Sequence, residues 1–334
     1  MKVLIVNSAE VTRLLPMDEC IDVMADALSA LARGEAIVPL RPILWLPEKV
    51  GALGMMPSYL ASADALGLKV VTVFQGNHGT KYDSHQGAVL LFESKHGQLL
   101  SIMDATSITG IRTAAVSGVA TRLLARADAK SVAILGSGVQ ARTHLAAMLH
   151  SRSIETVRVW SRDGEHARRF ADRESKRHSI AVSAASSVQE AVQEADIICT
   201  TTSSRDSILE GRWISPGTHI NAVGSSVPFA RELDSDAVRR ARLYVDRRES
   251  ALNEAGDFLL ARKEGAVDDA HIVGEIGELL LEQIDGRRSP DEITLFKSLG
   301  LAVEDLAAAN HVYRKAIESN SGVSVELGGD RDDD

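Results

Sequence analysis

A glycine-rich turn between a predicted strand and a predicted helix is the feature that most constrains the fold. Residues 134–141 read ILGSGVQA, a G-x-G-x-x-A pattern that continues an apolar run beginning at Val132. In this pattern the first glycine permits a tight turn, the second lets a diphosphate approach the backbone, and the alanine permits close packing of helix on strand. The first amide groups of the helix bind anions. We therefore predict a dinucleotide site that includes Gly136, Ser137, Gly138, Val139 and Gln140.

The sequence around this turn has the pattern of the corresponding fold. From residue 131 onward, strand-like runs alternate with helix-like runs. The strand-like runs lie at 132–135, 157–160, 180–182, 197–200, 219–223 and 243–245. Alternation of this kind is typical of a parallel, doubly wound sheet. The predicted fold class is therefore α/β, with a Rossmann domain that binds NAD(P).

The first hundred residues follow a different pattern. Apolar residues recur at helical spacing after Pro16 and stop before Gly34, which predicts one helix there. Short strand-like runs follow at 41–46, 52–56, 68–74, 88–92 and 99–103, with a hairpin turn at 95–98. Because no helix separates these strands, we predict a mostly antiparallel sheet. Helices are predicted at 105–125 and 299–317, and we expect the second of them to pack on the antiparallel half.

The charge balance narrows the classes of partner. The chain has 37 Lys and Arg against 46 Asp and Glu, which gives a formal net charge of −9. An acidic surface repels phosphate backbones and anionic membranes, so we expect neither nucleic acid nor a membrane as a partner. Two cysteines cannot form a metal cluster alone, the histidines show no ligand spacing, and no secretory signal or membrane-length apolar run is visible. We therefore expect a cytoplasmic protein without a catalytic metal.

The end of the second predicted Rossmann strand bears on the choice of cofactor. An NAD enzyme places Asp or Glu there to accept hydrogen bonds from the ribose hydroxyls. This chain instead has Ser161 and Arg162, followed by Asp163. A guanidinium can give a 2′-phosphate several charge-assisted hydrogen bonds, so NADP(H) is favoured. The alternative, in which Asp163 turns to accept from the ribose of NAD(H), stays open.

Several motifs outside the glycine turn carry a family resemblance. They read VPLRP at 38–42, MMP at 55–57, GLK at 67–69, SHQG at 84–87, MDATSITGIRTAA at 103–115, NAVG at 221–224 and FKSLG at 296–300. Over nearly its whole length the chain resembles the ornithine cyclodeaminase/mu-crystallin family. Taken together, these motifs are far more specific than the glycine pattern.

The resemblance implies a discontinuous domain organisation. Residues 1–115 and 302–325 would form a mixed α+β domain that binds substrate and dimerises through its sheet. Residues 116–301 would form the Rossmann domain, and the active site would lie between the two domains of each subunit of a homodimer. The acidic, glycine-rich residues 326–334 are predicted to be a disordered tail.

The resemblance also implies which residues form the site. By matching position, Arg41 and Lys69 bind the carboxylate of a small amino or imino acid, and Arg112 lies near both substrate and cofactor. Basic groups make physical sense here, because an acidic protein that holds a carboxylate needs local positive charge. Further cofactor contacts are expected from Ser84, Thr113, Thr202, Val223, Gly224 and Ser225.

One loop position departs from the cyclodeaminases of the family. Those enzymes carry an aspartate after their Asn-Ala-Val-Gly motif that handles protons during deamination, whereas this chain has Ser226. A serine hydroxyl without an activator does not act as a base near neutral pH, although a tuned carboxylate does. Mu-crystallin-like members, which reduce cyclic ketimines, have a serine at this position.

Together these features lead to one hypothesis and two alternatives. The hypothesis is an NADPH-dependent reductase that transfers hydride to the ketimine carbon of Δ1-pyrroline-2-carboxylate or Δ1-piperideine-2-carboxylate, giving L-proline or L-pipecolate. Its candidate catalytic residues are Lys69, Arg112 and Ser226. The alternatives are an ornithine cyclodeaminase that uses NAD to form proline and ammonia, and a protein that binds NADPH and a ligand without catalysis.

Overall fold

Antiparallel strands dominate the sheet formed by the first third of the chain. The computed structural model describes residues 2–77 and 80–328. The first elements are β1 (Lys2–Val6), α1 (Ser8–Leu14), α2 (Met17–Ala32), β2 (Ala36–Ile37), β3 (Ile43–Trp45), β4 (Ala52–Leu60), β5 (Ala65–Val73), β6 (His85–Glu93), β7 (Leu99–Asp104) and α3 (Ala105–Leu124). Strands β4 to β7 pair consecutively and antiparallel, whereas β1 runs parallel to β7. The predicted sheet is thus confirmed, as is the helix between Pro16 and Gly34.

The register of this sheet places Lys69 on its buried face. Along β4 every second residue is buried, because successive side chains of a strand point to opposite faces. Lys69 of β5 lies opposite Met56 of β4 and Val89 of β6, and both of these neighbours are buried. The sequence therefore puts a charged side chain into a row of apolar ones.

A parallel sheet with intervening helices follows. Its elements are β8 (Ser131–Leu135), α4 (Val139–Ser151), β9 (Thr156–Trp160), α5 (Gly164–His178), β10 (Ala181–Ala184), α6 (Val188–Val192), β11 (Ile197–Thr200), β12 (His219–Ala222), α7 (Ser235–Arg240), β13 (Arg242–Val245), α8 (Arg248–Glu254), α9 (Gly256–Lys263), β14 (Ile272–Glu275), α10 (Ile276–Leu280) and β15 (Thr294–Lys297). The strand order is β10-β9-β8-β11-β12-β15-β13-β14, and all pairs are parallel. The direction of winding reverses beside β8, and open sheets of this kind bind ligands at the carboxyl ends of the strands there. The predicted doubly wound architecture is confirmed.

The end of the chain returns to the first sheet. Helix α11 (Ala302–Glu318) contacts α2, β4 and β5, and strand β16 (Val323–Glu326) pairs antiparallel with β1. Gly67 of β5 permits the close approach of α11, because a Cβ at this position would lie 2.7 Å from Leu306 Cδ1. The expected packing of the last helix on the antiparallel half is therefore confirmed.

The chain divides into two compact units. One contains Met1–Arg112 and Leu301–Asp334, and the other contains Thr113–Gly300. The sequence analysis drew these boundaries at 115/116 and 301/302. Glu326, the first residue of the predicted tail, ends β16, and residues 329–334 lie outside the described residues.

Two further findings concern the described residues as a whole. None of their helices is both long and apolar enough to cross a membrane. Within residues 2–77 and 80–328, no group of three or more His, Cys, Asp or Glu side chains is arranged to hold a metal ion.

Candidate active site

Four charged side chains form a buried cluster in the first unit. Lys69 on β5 and Arg112 on α3 are 4% and 3% exposed, and Glu304 and Asp305 in the first turn of α11 are 0% and 1% exposed. Asp305 joins the two cations, because its Oδ2 lies 2.9 Å from Lys69 Nζ and its Oδ1 accepts from Arg112 Nε at 2.8 Å. Arg112 Nη1 also donates to Glu304 Oε2, and Lys69 Nζ donates to Thr109 Oγ1 at 3.1 Å. The fold thus brings together two of the three cations expected to bind a carboxylate, and it adds two acidic partners.

Burial and neighbouring charges act in opposite directions on these cations. Burial lowers the pKa of the Lys69 ammonium to about 8, although the adjacent Asp305 carboxylate raises it. For the Arg112 guanidinium, burial lowers the pKa, but Asp305 and Glu304 together raise it by more. Of the two cations, Lys69 is therefore the one whose charge changes closest to neutral pH.

Arg41 and Ser84 lie beside strand ends of the same sheet. Arg41 is half-buried just before β3, and its charge contributes, after burial, to lowering the pKa of Lys69. Ser84 directly precedes β6, where its carbonyl accepts from Phe74 N at 2.8 Å and its Oγ lies 3.1 Å from His85 Nδ1. A third cation therefore acts electrostatically on the buried cluster.

In the second unit, the turn between β8 and α4 has the geometry expected from the glycine pattern. Gly136 has a φ of +124°, and a Cβ on it would lie 2.7 Å from Thr201 Oγ1. Gly138 precedes α4 without giving it a side-chain cap, and a Cβ built on Gly138 meets no atom within 4 Å. There is thus open space beside Gly138 at the start of α4, where the first amide groups of the helix lack partners within the helix. This space suits the diphosphate of a dinucleotide. Val139 and Gln140, also predicted to bind the cofactor, form the first turn of the helix.

Next to this turn lies the end of β9. Ser137 Oγ donates to Ser161 Oγ at 3.1 Å, and Arg162 is exposed. Asp163 caps the N-terminus of α5, where its Oδ1 accepts from Glu165 N at 2.8 Å. This hydrogen bond is the largest cause that lowers the pKa of the Asp163 carboxyl. The carboxylate is therefore engaged by the helix that follows it.

The loops after β11 and β12 meet at the carboxyl ends of two neighbouring parallel strands. Thr202 Oγ1 donates to Glu232 Oε1 at 2.6 Å, and Gly224 N donates to Glu232 Oε2 at 2.7 Å. Ser225 is 2% exposed, and its Oγ donates to the carbonyl oxygen of Ala230. The hydroxyls of Thr202 and Ser225 and the backbone N–H of Thr202 are therefore all engaged within the protein.

The remaining predicted residues of this unit differ in exposure. Val223 N donates to Thr200 O at 3.0 Å, Thr113 on α3 is buried, and Ser226 is exposed in the loop after β12. The contacts therefore connect Ser137 with Ser161, and Thr202 with Gly224 through Glu232.

Comparison with known proteins places this geometry in a family. The sequence profile described as the ornithine cyclodeaminase/mu-crystallin family matches residues 1–320. The chain belongs to this family. The resemblance stated from the motifs is thereby confirmed over almost the full length.

Individual members of the family are similar to this chain in sequence and in structure. The ketimine reductase mu-crystallin of Mus musculus is 45% identical over 282 residues, which are 84% of this chain and 85% of that protein. The solved structure of the Δ1-pyrroline-2-carboxylate reductase of Thermococcus litoralis, in complex with NADH and L-proline, has a TM-score of 0.95 and 41% identity, and the match covers 97% of this chain and 100% of that one. An archaeal alanine dehydrogenase dimer with bound NAD has a TM-score of 0.93 and 32% identity, with 98% and 100% covered.

Three buried carboxylates of this family member were missed by the sequence analysis. Glu304 and Asp305 lie beyond the end of the FKSLG motif, after three intervening residues, and two adjacent acidic residues in an otherwise apolar stretch were an available signal. That signal is weak, because acidic residues in the first turn of a helix are ordinarily explained by the helix dipole. Glu232 lies in the segment RELD, which gives no indication of burial.

Proposed function

We propose that this family member is an NAD(P)H-dependent reductase of small cyclic imino acids. Its substrates would be Δ1-pyrroline-2-carboxylate and Δ1-piperideine-2-carboxylate, and its products L-proline and L-pipecolate. The observation that carries the proposal is the buried cluster of Lys69 and Arg112 with Arg41 acting on it, because three cations against the two carboxylates of Asp305 and Glu304 leave a net positive charge. Such a charge in an acidic protein favours a small anionic ligand. The relatives named as a ketimine reductase and a Δ1-pyrroline-2-carboxylate reductase support the imino acid class.

The cations would hold the substrate carboxylate in a fixed place. Asp305 and Glu304 engage three N–H groups of Arg112, and Asp305 and Thr109 engage Lys69. Side chains held in this way need little further ordering when substrate binds, which contributes to the rate through positioning of the imine. Arg41 would supply positive charge beyond that of the two buried cations.

Lys69 would also act on the proton of the imine nitrogen. An imine accepts electrons at carbon when its nitrogen is protonated, and a general acid with a pKa near the working pH is efficient in this role. Because burial lowers the pKa of Lys69 to about 8, its Nζ gives up a proton more readily than that of an ordinary lysine. When bound, the reduced nicotinamide supplies the hydride.

NADP(H) is the cofactor that we propose this site prefers. The residues of the second unit that would hold it are Thr113, Gly136, Ser137, Gly138, Val139, Gln140, Ser161, Arg162, Thr202, Val223, Gly224 and Ser225. Asp163, the residue that could instead serve NAD(H), is engaged in capping α5. The solved relatives hold NADH or NAD, so the preference rests on Ser161 and Arg162.

The double substitution Ser161→Asp with Arg162→Ala is expected to reverse the cofactor preference. The new carboxylate repels a 2′-phosphate, and loss of the guanidinium removes a charged hydrogen bond worth about 1.5–3 kcal/mol, which corresponds to about tenfold to 100-fold. The measurement is kcat/KM with NADPH and with NADH. Arg168→Ala is the control, because Arg168 is an exposed arginine on α5 that pairs with Glu165. Equal use of both cofactors by the wild-type protein would contradict the preference.

A second prediction separates reduction from deamination. Ring-closing deamination needs a group that takes a proton from one amine and delivers one to departing ammonia, and Ser226 alone does not do this. We therefore expect negligible ammonia release from ornithine with NAD, but consumption of NADPH with both cyclic imino acids. Ser226→Ala should leave imino acid reduction within about tenfold of wild type, because it removes one hydroxyl hydrogen bond worth roughly 0.5–1.5 kcal/mol.

The same assays decide between the alternatives. Steady formation of proline and ammonia from ornithine would support a cyclodeaminase and overturn the reductase. Binding of NADPH and an imino acid without turnover would support a ligand-binding protein. Loss of reduction by more than 100-fold in Ser226→Ala would assign the serine a direct chemical role and contradict the prediction.

We also propose that the protein forms a homodimer through its first sheet. Ile43, Leu44 and Trp45 of β3 and the nearby Val50 are between 41% and 59% exposed. Neighbouring apolar side chains that are open to solvent are typical of an interaction surface. The dimeric state of the related alanine dehydrogenase supports a second copy of this chain as the partner.

A further inference from the structure

Glu232 is a buried carboxylate with an unusual number of donors. It lies between β12 and α7 and is 0% exposed. Its Oε1 accepts from Thr202 N and Thr202 Oγ1, both at 2.6 Å. Its Oε2 accepts from Thr200 Oγ1 and from Gly224 N, both at 2.7 Å. One side chain therefore connects the end of β11 and its following loop with the loop that follows β12.

The backbone of Glu232 is held in place by a second buried acid, Asp257. Asp257 Oδ1 accepts from Glu232 N at 2.7 Å and from Leu233 N at 3.0 Å. Lys297 Nζ lies 2.9 Å from Asp257 Oδ2 and donates to Ala222 O at 3.2 Å. Lys297 belongs to β15 and Ala222 ends β12, so the arrangement anchors Glu232 to the central strands of the parallel sheet.

The cost of burying the Glu232 carboxylate indicates that this residue does more than fill space in the core. Burial raises the pKa of Glu232, and the neighbouring Asp257 carboxylate raises it further. A buried charge is costly unless several hydrogen bonds compensate for it. An apolar side chain would fill the same volume without this cost, but it could not fix the direction of the backbone N–H groups of Thr202 and Gly224.

The close approach of the two loops depends on Gly224. A Cβ there would lie 2.1 Å from Thr202 O and 2.5 Å from Glu232 Cδ, so no other residue fits without displacement. These loops leave the carboxyl ends of β11 and β12, and β11 pairs with β8, which carries the glycine turn. The carboxyl ends beside a reversal of winding are where open α/β sheets bind ligands.

We propose that Glu232 is a positioning residue that fixes Thr202 and the 223–225 loop against the nicotinamide half of the cofactor. The inference rests on the proposed use of a nicotinamide dinucleotide by this site. Glu232 does not touch the reacting atoms itself. It acts by holding the backbone of the two loops in place, because the N–H groups of Thr202 and Gly224 both donate to its carboxylate.

Glu232→Gln is the sharpest test, because it keeps the volume but replaces one acceptor oxygen with an N–H₂ group. Each carboxylate oxygen accepts from a backbone N–H that cannot reverse its direction, so either orientation of the amide opposes one loop. We expect the Kd for NADPH, measured from the fluorescence of the bound cofactor, to rise about tenfold to 100-fold. The emission maximum of the bound cofactor should also shift. The KM for the imino acid should change less than about threefold, because the substitution weakens the binding of the cofactor and not that of the imino acid.

Glu174→Gln is the matched control. Glu174 is likewise a glutamate that is 0% exposed, but it pairs with Arg173 and His178 on α5. Thermal unfolding is recorded for every variant. If Glu232→Gln binds NADPH as the wild type does, or if Glu174→Gln weakens binding equally, the inference is overturned. If Glu232→Gln does not fold, Thr200→Val removes a single donor and should raise the Kd about threefold or more, whereas no change overturns the inference.

Failure of this inference can be told apart from failure of the proposed function. Cofactor fluorescence needs no imino acid, so wild-type protein that binds NADPH without reducing any imino acid overturns the reductase and still tests Glu232. Wild-type protein that reduces imino acids, with Glu232→Gln unaffected in all readouts, overturns only the inference.

Discussion

Lys69→Ala and Arg112→Ala are each expected to lower kcat/KM for cyclic imino acids by about 100-fold or more. Removing one partner of a desolvated, hydrogen-bonded charge pair costs about 2–5 kcal/mol, and each 1.36 kcal/mol corresponds to tenfold. Both side chains are almost completely buried and are anchored on Asp305. The measurement is steady-state kinetics with NADPH and each imino acid, with circular dichroism to confirm the fold.

The controls for this prediction address folding and general loss of charge. Lys69→Met keeps the length of the side chain without its charge, so it should lose as much activity as Lys69→Ala while it leaves a smaller cavity. Lys315→Ala removes another ion pair of the first unit, the one with Glu19, and should leave kcat/KM within about twofold. If a variant at Lys69 or Arg112 keeps near-native kcat/KM, that residue does not bind the substrate carboxylate.

The parallel half of the fold could be predicted because its signals are local. Position 136 in the turn requires glycine for steric reasons, and the alternation of strands and helices determines the class of sheet. Short elements without such signals were missed, among them β1, β14 and β16. Helix α1 was missed although Asn7 and Glu10 form a capping box, a pattern that can be recognised in a sequence.

In the antiparallel half, the family resemblance predicted the role of Lys69 but not its burial or its partner. Without the family resemblance, Lys69 is an unusual residue in an apolar strand, but a lone lysine in a strand more often lies on a solvated edge. The matched motifs favoured a binding role. The register of β4, β5 and β6 shows that the residue is buried. The packing of α11 on this sheet was expected, but the ion pair of Lys69 with Asp305, which lie more than 200 positions apart, is a tertiary contact with no local signal.

The need of a buried cation for a partner explains several of the acidic residues that were not predicted. The expected site residues were cations that bind an anionic substrate, whereas the excess of acidic residues was interpreted as solvated surface. A buried cation in a folded protein needs a partner before substrate arrives. Asp305 and Glu304 meet that need in the first unit, and Asp257 meets it for Lys297 in the second. Each buried cation expected from a sequence therefore implies a buried acidic partner elsewhere in the chain.

Asp305→Asn should therefore affect both stability and the pH dependence of activity. It leaves two buried cations with one fewer balancing charge, and breaking a buried pair costs about 3–5 kcal/mol of unfolding free energy. Asp305 raises the pKa of Lys69 against the effect of burial, and the balance gives about 8. Charged Lys69 binds the carboxylate, so kcat/KM in the wild type should fall as the pH rises through about 8. In Asp305→Asn this fall should begin at lower pH.

The sign of the stability effect provides an independent check. The ordinary pKa of a lysine, which Lys69 has in the unfolded chain, is 10.5. Between the lowered folded-state pKa and 10.5 the unfolded chain binds more protons than the folded one, so this group makes the free energy of unfolding rise with pH. Since Asp305→Asn lowers the folded-state pKa further, its loss of unfolding free energy should be smaller at pH 9 than at pH 7. Glu318→Gln, an exposed carboxylate on the same helix, should change neither quantity. A wild-type pH profile in Asp305→Asn would show that Asp305 does not control the charge of Lys69.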